Sequence, residues 1–190
     1  MIRYSTESIF DSGCDVLVNP VNCVGVMGGG LALAFAHRFP VMVPLYEKAC
    51  AEGRLVPGRS HYYVGLSNYP TICNFPTKIH WKDKSKLPWI AYGLEDLKDF
   101  LSTESSGTSV AIPALGCGLG GLPWEPVKEL IEYHFKYTTY NVVVFPPRGR
   151  EIDPAEQNFC GCYVEHSDDM SKLAKPGEVC VVCGLVREKR

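Results

Sequence analysis

Two glycine-rich segments have the residue types and the spacing to bind an anion. The first runs from residue 24 to residue 31 and the second from residue 115 to residue 121. Each follows an apolar run and precedes a run of helix formers, so each is predicted to connect a strand to a helix. Glycines let successive backbone N–H groups approach an anion, and the N-terminus of the following helix adds positive charge. Neither segment has the spacing of a P-loop or a clean dinucleotide-binding fingerprint.

Two such loops in one small domain favour a ligand that carries a diphosphate, held in the crevice beyond the carboxyl ends of the strands. The alternative is that both segments are structural turns, which we consider the weaker interpretation. The loop residues predicted to contact the ligand are Val24, Gly25, Val26, Met27, Gly28, Gly29, Gly30, Leu31, Leu115, Gly116, Cys117, Gly118, Leu119, Gly120 and Gly121.

Three polar residues lie where predicted strands end. Asn19 and Asn22 flank a Pro-Val pair after the first buried run, where an amide could reach the ligand or simply cap a turn. Lys78 ends the segment 74–78 and is by default a solvated surface charge. In a partly closed pocket, desolvation would lower the pKa of its amine, which could then act as a nucleophile or as an electrostatic catalyst.

A basic strip, residues 78–86, starts at this lysine. It contains four lysines, one acid and a tryptophan. Such a segment could hold a nucleic-acid backbone and stack a base, and a charged loop with one packed Trp is an equally good interpretation. The residues predicted to contact nucleic acid are His80, Trp81, Lys82 and Lys84.

The elements that would position these residues alternate between strands and helices. This alternation predicts an α/β fold with a mostly parallel or mixed sheet that is covered on both faces. One helix is predicted from the spacing of Ile90, Leu94, Leu97 and Leu101, and another, after the second loop, from Val127, Leu130, Ile131 and His134. A helix is also expected over residues 31–38, and strands are expected over residues 15–19, 61–66, 71–75, 110–115 and 141–145.

The composition is that of an ordinary globular protein, with 46% hydrophobic and 21% charged residues among 190. This length supports one domain and a short appendage, but not two full domains. The net charge of −2 gives no global basic field, so any contact with nucleic acid must be local. Because the sequence has neither a membrane-spanning apolar run nor a signal peptide, we expect a cytoplasmic protein without a membrane partner. We also expect a monomer.

The nine cysteines divide into two groups. Five are scattered through apolar or glycine-rich segments and are expected to be buried thiols. The other four follow a Pro-Pro break, which places a boundary between a body, residues 1–147, and an extension, residues 148–190. These four could hold a structural zinc; equally, the thiols could be free or buried while the extension packs on the body as an extra strand over residues 179–182. They are Cys160, Cys162, Cys180 and Cys183.

Three segments in collinear order resemble the macrodomain family, and within it the macrodomains of DarG-type antitoxins. They are residues 15–32, 74–81 and 113–124, and the resemblance extends over residues 1–147. It implies a three-layer α/β/α macrodomain with a mixed central sheet, followed here by the cysteine-containing extension. DarG antitoxins carry a longer C-terminal domain that binds the toxin, so direct neutralisation of a toxin is not implied for this chain.

The resemblance also implies the ligand and the reaction. ADP-ribose would lie with its diphosphate between the two loops and its distal ribose near Asn22 and Lys78. Lys78 would be the catalytic residue that acts on the anomeric carbon, and Asn22 would orient the ribose hydroxyls. The further ligand contacts implied are Ser8, Ile9, Asn19 and Thr77, with Ser8 in place of the aspartate that usually reads adenine, and Gly29 replaces a frequent lysine.

The activity implied is that of a DNA ADP-ribosyl glycohydrolase, which removes ADP-ribose from thymidine in single-stranded DNA without a cofactor. It would reverse the action of a DNA ADP-ribosylating toxin, the cognate partner. The second loop lacks the aspartate that glutamate-directed relatives place between Gly118 and Gly121, which favours the DNA-directed branch. The alternatives are a hydrolase of protein-linked ADP-ribose or of ADP-ribose 1″-phosphate, and a non-catalytic ADP-ribose reader.

Overall fold

A six-stranded sheet lies at the centre of the protein, in a computed structural model that describes residues 1–65 and 69–148. The strand order is β1-β6-β5-β2-β4-β3, and every neighbouring pair is parallel except β3 and β4, which are antiparallel. The mixed sheet expected from the sequence is therefore confirmed. The strands are β1 (Ile2–Tyr4), β2 (Val16–Val21), β3 (His61–Tyr63), β4 (Thr71–Pro76), β5 (Ser109–Pro113) and β6 (Asn141–Phe145).

Helices cover both faces of this sheet. They are α1 (Gly30–Arg38), α2 (Val43–Ala51), α3 (Leu87–Ser102) and α4 (Trp124–Phe135), with short 3-10 turns at Ile9–Asp11 and Pro40–Met42. The sequence analysis identified α1, α3 and α4 but neither β1 nor α2. β1 has three residues, too few for a periodic pattern, and α2 carries a proline in its first turn, where proline is tolerated.

The alternation of side chains along the strands builds two apolar cores. Val16 and Val18 of β2 face the core shared with α3 and α4, whereas Leu17 faces the core shared with α1 and α2. The same alternation holds for Val142 and Val143 of β6. The three-layer α/β/α arrangement is therefore confirmed for the described residues.

The predicted apolar face of α3 is fully buried at Ile90, Leu94, Leu97 and Leu101. On α4, Val127 and Ile131 are buried as predicted, while Leu130 is partly buried and His134 instead binds Glu95 of α3, with 3.0 Å between Nδ1 and Oε2. Burial lowers the pKa of His134, and Glu95 opposes that effect. The sequence pattern missed Trp124 and Phe135, the buried ends of α4.

The carboxyl ends of β2 and β5 separate, which opens a crevice between them. β4 stays paired with β2 as far as Val21, but the pairing of β5 with β2 ends at Leu17. β2 therefore continues through Pro20, beyond the end predicted from the sequence, because the missing N–H of this proline breaks no bond to β5. Both glycine-rich loops begin at these strand ends, so they flank the same crevice.

The described residues contain no helix that is long and apolar enough to cross a membrane. The predicted extension and its four cysteines lie outside the described residues, and the boundary at residue 147 stays a prediction.

Candidate functional site

Backbone pairing beyond the ends of β2 and β4 brings Asn22 and Lys78 together. Thr77 N donates to Val21 O at 3.0 Å, and Cys23 N donates to Ile79 O at 2.8 Å. The segments that follow β2 and β4 thus remain paired for a short distance past the sheet. Asn22 and Lys78 are only 6% and 7% exposed, so both side chains lie at the base of the crevice rather than on the surface.

The amine of Lys78 reaches the second glycine-rich loop. Its Nζ donates to Leu119 O at 3.1 Å. Burial lowers the pKa of Lys78, the positive charge of Lys84 lowers it further, and Asp83 opposes these effects. A lysine whose charged form is disfavoured has a larger neutral fraction near neutral pH, which a nucleophilic amine requires.

The side chain of Asn22 fixes the shape of the first glycine-rich loop. Its Oδ1 accepts from Val24 N at 3.0 Å and from Val26 N at 3.3 Å, and its Nδ2 donates to Val26 O at 2.5 Å. The hydroxyl of Tyr46 donates to Asn22 O at 2.9 Å and lies 3.2 Å from Oδ1. In this structure both ends of the Asn22 amide form hydrogen bonds with the backbone of the first loop. The predicted role of this amide toward ribose hydroxyls stays a prediction.

The two loops approach each other over the crevice. Gly25 in the first loop and Gly116 in the second have φ angles of 79° and 72°, which favour glycine. Leu119 is 75% exposed, and its Cδ1 lies 3.5 Å from the position that a Cβ on Gly29 would occupy. α1 begins at Gly30, so its N-terminus also faces this space, as an anion site requires.

A row of buried polar side chains crosses the sheet beneath the first loop. Asn19 is fully buried; its Nδ2 donates to Asn74 Oδ1 at 3.0 Å and lies 3.8 Å from Met27 Sδ. Asn74 Nδ2 lies 3.4 Å from His61 Nδ1, and burial lowers the pKa of this histidine. The predicted contact of Asn19 with ligand stays a prediction, while the structure shows its pairing with β4.

The basic strip lies beside the second loop and presents an aromatic ring to solvent. Trp81 is 50% exposed, and Lys82 Nζ lies 4.9 Å from the centroid of its ring. The ring of His80 is 5.2 Å from the same ring, and Asp83 accepts from His80 N at 2.9 Å. Because half of the Trp81 side chain is exposed, the alternative of a packed tryptophan is disfavoured. Its predicted contacts with DNA stay predictions.

Three other predicted ligand contacts lie at the same edge of the sheet. Ser8 Oγ accepts from Phe10 N at 3.3 Å and so caps the turn at Ile9–Asp11, where Ile9 is buried. Thr77 is buried, and its Oγ1 donates to Val21 O at 3.4 Å. The predicted contacts of these three residues with ligand stay predictions.

The sequence analysis missed several residues that build the site, namely Tyr46, His61, Asn74 and Ser85. Asn74 had a signal, because a polar residue within an apolar strand needs a buried partner. The others act across long separations in sequence, which no local pattern reveals. Ser85, buried beneath the second loop, is described below.

Comparison with known proteins gives similarity at the level of family, sequence and structure. The family described as Macro domain matches residues 18–131. A curated relative from Mycobacterium tuberculosis, named DNA ADP-ribosyl glycohydrolase, is 43% identical over 161 residues, which cover 82% of this chain and 46% of that relative. The chain thus spans less than half the length of such relatives.

Two solved structures are similar over most of the chain. The macrodomain of Mycobacterium tuberculosis DarG matches with a TM-score of 0.73 and 42% identity, covering 77% of this chain and 98% of that one. Thermosipho africanus DarTG in complex with ADP-ribose matches with a TM-score of 0.72 and 31% identity, covering 80% of this chain and 43% of that one. The similarity therefore includes the region of both glycine-rich loops and Lys78.

Proposed function

Because the chain belongs to the Macro domain family, we propose that it is an ADP-ribosyl glycohydrolase that removes ADP-ribose from thymidine in single-stranded DNA. The observation that carries the proposal is the position of Lys78. A buried amine at the base of a crevice, in contact with the second glycine-rich loop, can meet the sugar carbon of a ligand whose diphosphate lies between the loops.

The crevice supplies the groups that a diphosphate requires. Backbone N–H groups of two glycine-rich loops and the N-terminus of α1 provide positive potential without a fixed cationic side chain. ADP-ribose is the ligand in the Thermosipho africanus complex, which supports ADP-ribose as the ligand here.

The amine of Lys78 acts on the anomeric carbon of the distal ribose. Its neutral nitrogen forms a bond to this carbon as the bond from the carbon to the thymidine nitrogen breaks, through a transition state with oxocarbenium character. The proton released by the amine balances the one that the base gains. Water then adds at the anomeric carbon and releases ADP-ribose and free Lys78, so the sum is hydrolysis without a cofactor.

The basic strip supports a nucleic acid as the carrier of this ADP-ribose. Trp81 offers part of its ring for stacking with a base, while Lys82 and Lys84 add positive charge for the phosphates of a single strand. The enzyme that supplies such a substrate is a DNA ADP-ribosyltransferase. A toxin with that activity, encoded as a partner, would be the physiological source.

The test uses a single-stranded oligonucleotide that carries ADP-ribose on thymidine. We expect the wild-type protein to release free ADP-ribose and Lys78→Ala to release it at least ~100-fold more slowly, because the nucleophile is lost. Lys48→Ala is the matched control, since Lys48 is an exposed lysine on α2 whose partner is Glu52, and it should keep wild-type activity.

Each remaining outcome has a defined meaning. No release by the wild type, or equal release by Lys78→Ala, overturns the proposal. Turnover of ADP-ribosyl-glutamate or ADP-ribose 1″-phosphate instead of the DNA adduct indicates a hydrolase of the same fold with another substrate. Binding of ADP-ribose without turnover of any of these substrates indicates a reader.

A further inference from the structure

The basic strip is attached to the second loop at both of its ends. At the first end, Lys78 Nζ donates to Leu119 O at 3.1 Å. At the other end, Ser85 N donates to Gly120 O at 3.0 Å. The acceptors are consecutive residues, so the segment from Lys78 to Ser85 is a bridge whose ends meet on one turn of the loop.

The side chain of Ser85 occupies the space that the glycines of this loop leave open. Ser85 is only 6% exposed. A Cβ on Gly120 would lie 2.2 Å from Ser85 Oγ, and a Cβ on Gly116 would lie 2.9 Å from Ser85 Cβ. The loop therefore rests directly on this side chain, and the size of Ser85 sets the distance between the loop and the strip.

The hydroxyl of Ser85 is buried without a hydrogen-bond partner among residues 1–65 and 69–148. A buried hydroxyl of this kind contributes no hydrogen bond to another described residue, so it adds little to the stability of the folded state. Alanine would lose no such bond but would leave a gap beneath Gly120, because Ser85 Oγ is the atom nearest to the position of a Cβ on that glycine. The presence of serine is thus not accounted for by a hydrogen bond to another described residue.

We propose that Ser85 is a positioning residue for Lys78 that acts through the second loop. This inference rests on the proposed function, in which Lys78 attacks the sugar. Ser85 fixes the distance of Gly116 and Gly120 from the basic strip. The carbonyl of Leu119, which lies between these glycines in sequence, accepts the hydrogen bond from the Lys78 amine. A change beneath the loop therefore alters the surroundings of an amine that Ser85 does not touch.

The test measures the Lys78 amine directly, in the complete chain and without substrate. The rate at which an amine-reactive acetylating reagent labels Lys78 is followed by peptide mass spectrometry across a range of pH, for the wild type and Ser85→Ala. The charged groups that face Lys78 are Lys84 and Asp83, and both are unchanged in this variant. We expect the midpoint of labelling to shift to higher pH, because a loosened loop lets water reach the amine.

Ser60→Ala is the matched control. Ser60 Oγ is also a buried hydroxyl, but it lies before β3, where it interacts with the Cys73 thiol, away from the second loop. The pH profile of Lys78 labelling in Ser60→Ala should coincide with that of the wild type. Ser85→Ala should change the midpoint of thermal unfolding little, since its hydroxyl makes no hydrogen bond to the described residues.

Two results overturn the inference: a Ser85→Ala profile that coincides with the wild type, or an equal shift in Ser60→Ala. If Ser85→Ala lowers the unfolding midpoint, Ser85→Cys decides, because it keeps the side-chain length and a weak donor. A profile for Ser85→Cys nearer to the wild type than that of Ser85→Ala supports the inference, and a profile that coincides with that of Ser85→Ala overturns it. Failure of the wild type to cleave the DNA adduct would instead refute the proposed function, since labelling requires no turnover.

Discussion

Lys78 combines three properties at the scale of one residue: burial, a carbonyl partner and a neighbouring positive charge. Burial and Lys84 both disfavour its ammonium form, whereas Asp83 favours it. A surface lysine has none of these influences and stays protonated throughout the physiological range. The charges of the basic strip thus change the pKa of the Lys78 amine, in addition to any attraction that they exert on a bound nucleic-acid strand.

The first prediction concerns Lys84→Gln. Removing this positive charge stabilises the ammonium form of Lys78, so the pKa of Lys78 rises toward its ordinary value. The rising limb of kcat against pH should move to higher pH, and kcat at pH 7 should fall roughly threefold, the size expected of one partly screened charge. Asp83→Asn should move the limb the opposite way. Identical limbs in both variants, measured at saturating substrate, would contradict this electrostatic coupling.

The second prediction concerns Asn22→Ala. This change leaves the N–H groups of Val24 and Val26 without their acceptor, so we expect the free energy of unfolding to fall by about 2 kcal/mol. Affinity for free ADP-ribose should also fall, because the first loop loses its shape. Urea unfolding and calorimetric titration measure the two effects.

Tyr46→Phe is the comparison for this variant. It removes one hydroxyl beneath the loop but keeps both N–H bonds to Asn22, so it should cost about 1 kcal/mol and change affinity less. Unchanged stability of Asn22→Ala would show that water replaces the amide.

Sequence could locate Asn22 and Lys78 because both stand next to recognisable strand ends and motifs. It could not locate Tyr46, which bonds Asn22 from 24 residues away, or Ser85, which looks like an ordinary loop residue in a charged segment. The roles of such residues come from tertiary contact alone. No spacing rule within one element could have revealed them.

At the scale of an element, the second glycine-rich loop is held by close backbone contact. Leu122 N donates to Gly116 O and Gly121 N donates to Gly118 O, each at 3.0 Å, so the turn is nearly closed on itself. Such a turn leaves little room above Ser85. Individual glycines in the loop should therefore differ sharply in what they tolerate.

The third prediction compares Gly120→Ala with Gly118→Ala. A Cβ at Gly120 would lie 2.2 Å from Ser85 Oγ and 2.4 Å from Gly116 O, and the second of these is a backbone atom that cannot rotate away. We expect a loss of about 2 kcal/mol in the free energy of unfolding. A Cβ at Gly118 meets nothing within 4 Å, so its variant should stay within about 0.5 kcal/mol of the wild type. Equal losses in a denaturant titration would refute this account of the loop.

Element types were predictable where an apolar pattern was long enough. α3 and β6 illustrate this, since one shows helical spacing and the other an uninterrupted buried run. The end of β2 was not predictable, because whether a strand can continue through Pro20 depends on which neighbour is still paired there. That information lies in the register of β5 rather than in β2 itself.

At the scale of the whole molecule, all residues of the crevice precede residue 123, and the sheet is complete at Phe145. The fourth prediction is that a chain ending at Arg148 unfolds cooperatively and binds ADP-ribose within about threefold of the full chain's affinity, a difference of at most about 0.7 kcal/mol. The similar macrodomain of Mycobacterium tuberculosis DarG, 98% of which is matched here, supports this expectation. Loss of binding would show that the extension contributes to the site.

The same pair of chains tests the predicted zinc site. If the four cysteines after residue 148 hold zinc, the full chain purified without chelator should contain about one zinc per molecule and the shortened chain none. Zinc well below one per full chain removes the metal hypothesis. The described residues offer no cluster of three or more metal-binding side chains that could substitute.

The fifth prediction concerns the thiols of the body. Burial raises the pKa of Cys23 and of Cys73 to about 12 and that of Cys117 to about 11, so few thiolates are present near neutral pH. We expect iodoacetamide at pH 8 to alkylate these three at least ~10-fold more slowly in the native protein than in urea. Peptide mapping gives the rates, and equal rates would show that the core opens readily.

The layer architecture was predictable at this scale, but the order of the strands was not. Alternating strands and helices require a covered sheet, and that much follows from the sequence alone. The pairing of β1 with β6 joins the two ends of the described chain, a choice that depends on how all intervening elements pack. The neighbours of β2 likewise come from two separate crossovers.

This strand order also determines when the crevice can appear during synthesis. β6 lies between β1 and β5, so β1 cannot join the sheet until the ribosome has released residues up to Phe145. Contacts between segments so far apart in sequence form slowly, after local helices. We therefore expect a nascent chain that already contains Lys78 and both glycine-rich loops to bind ADP-ribose more weakly until β6 has paired, so that binding of ligand during synthesis would report the arrival of the last strand.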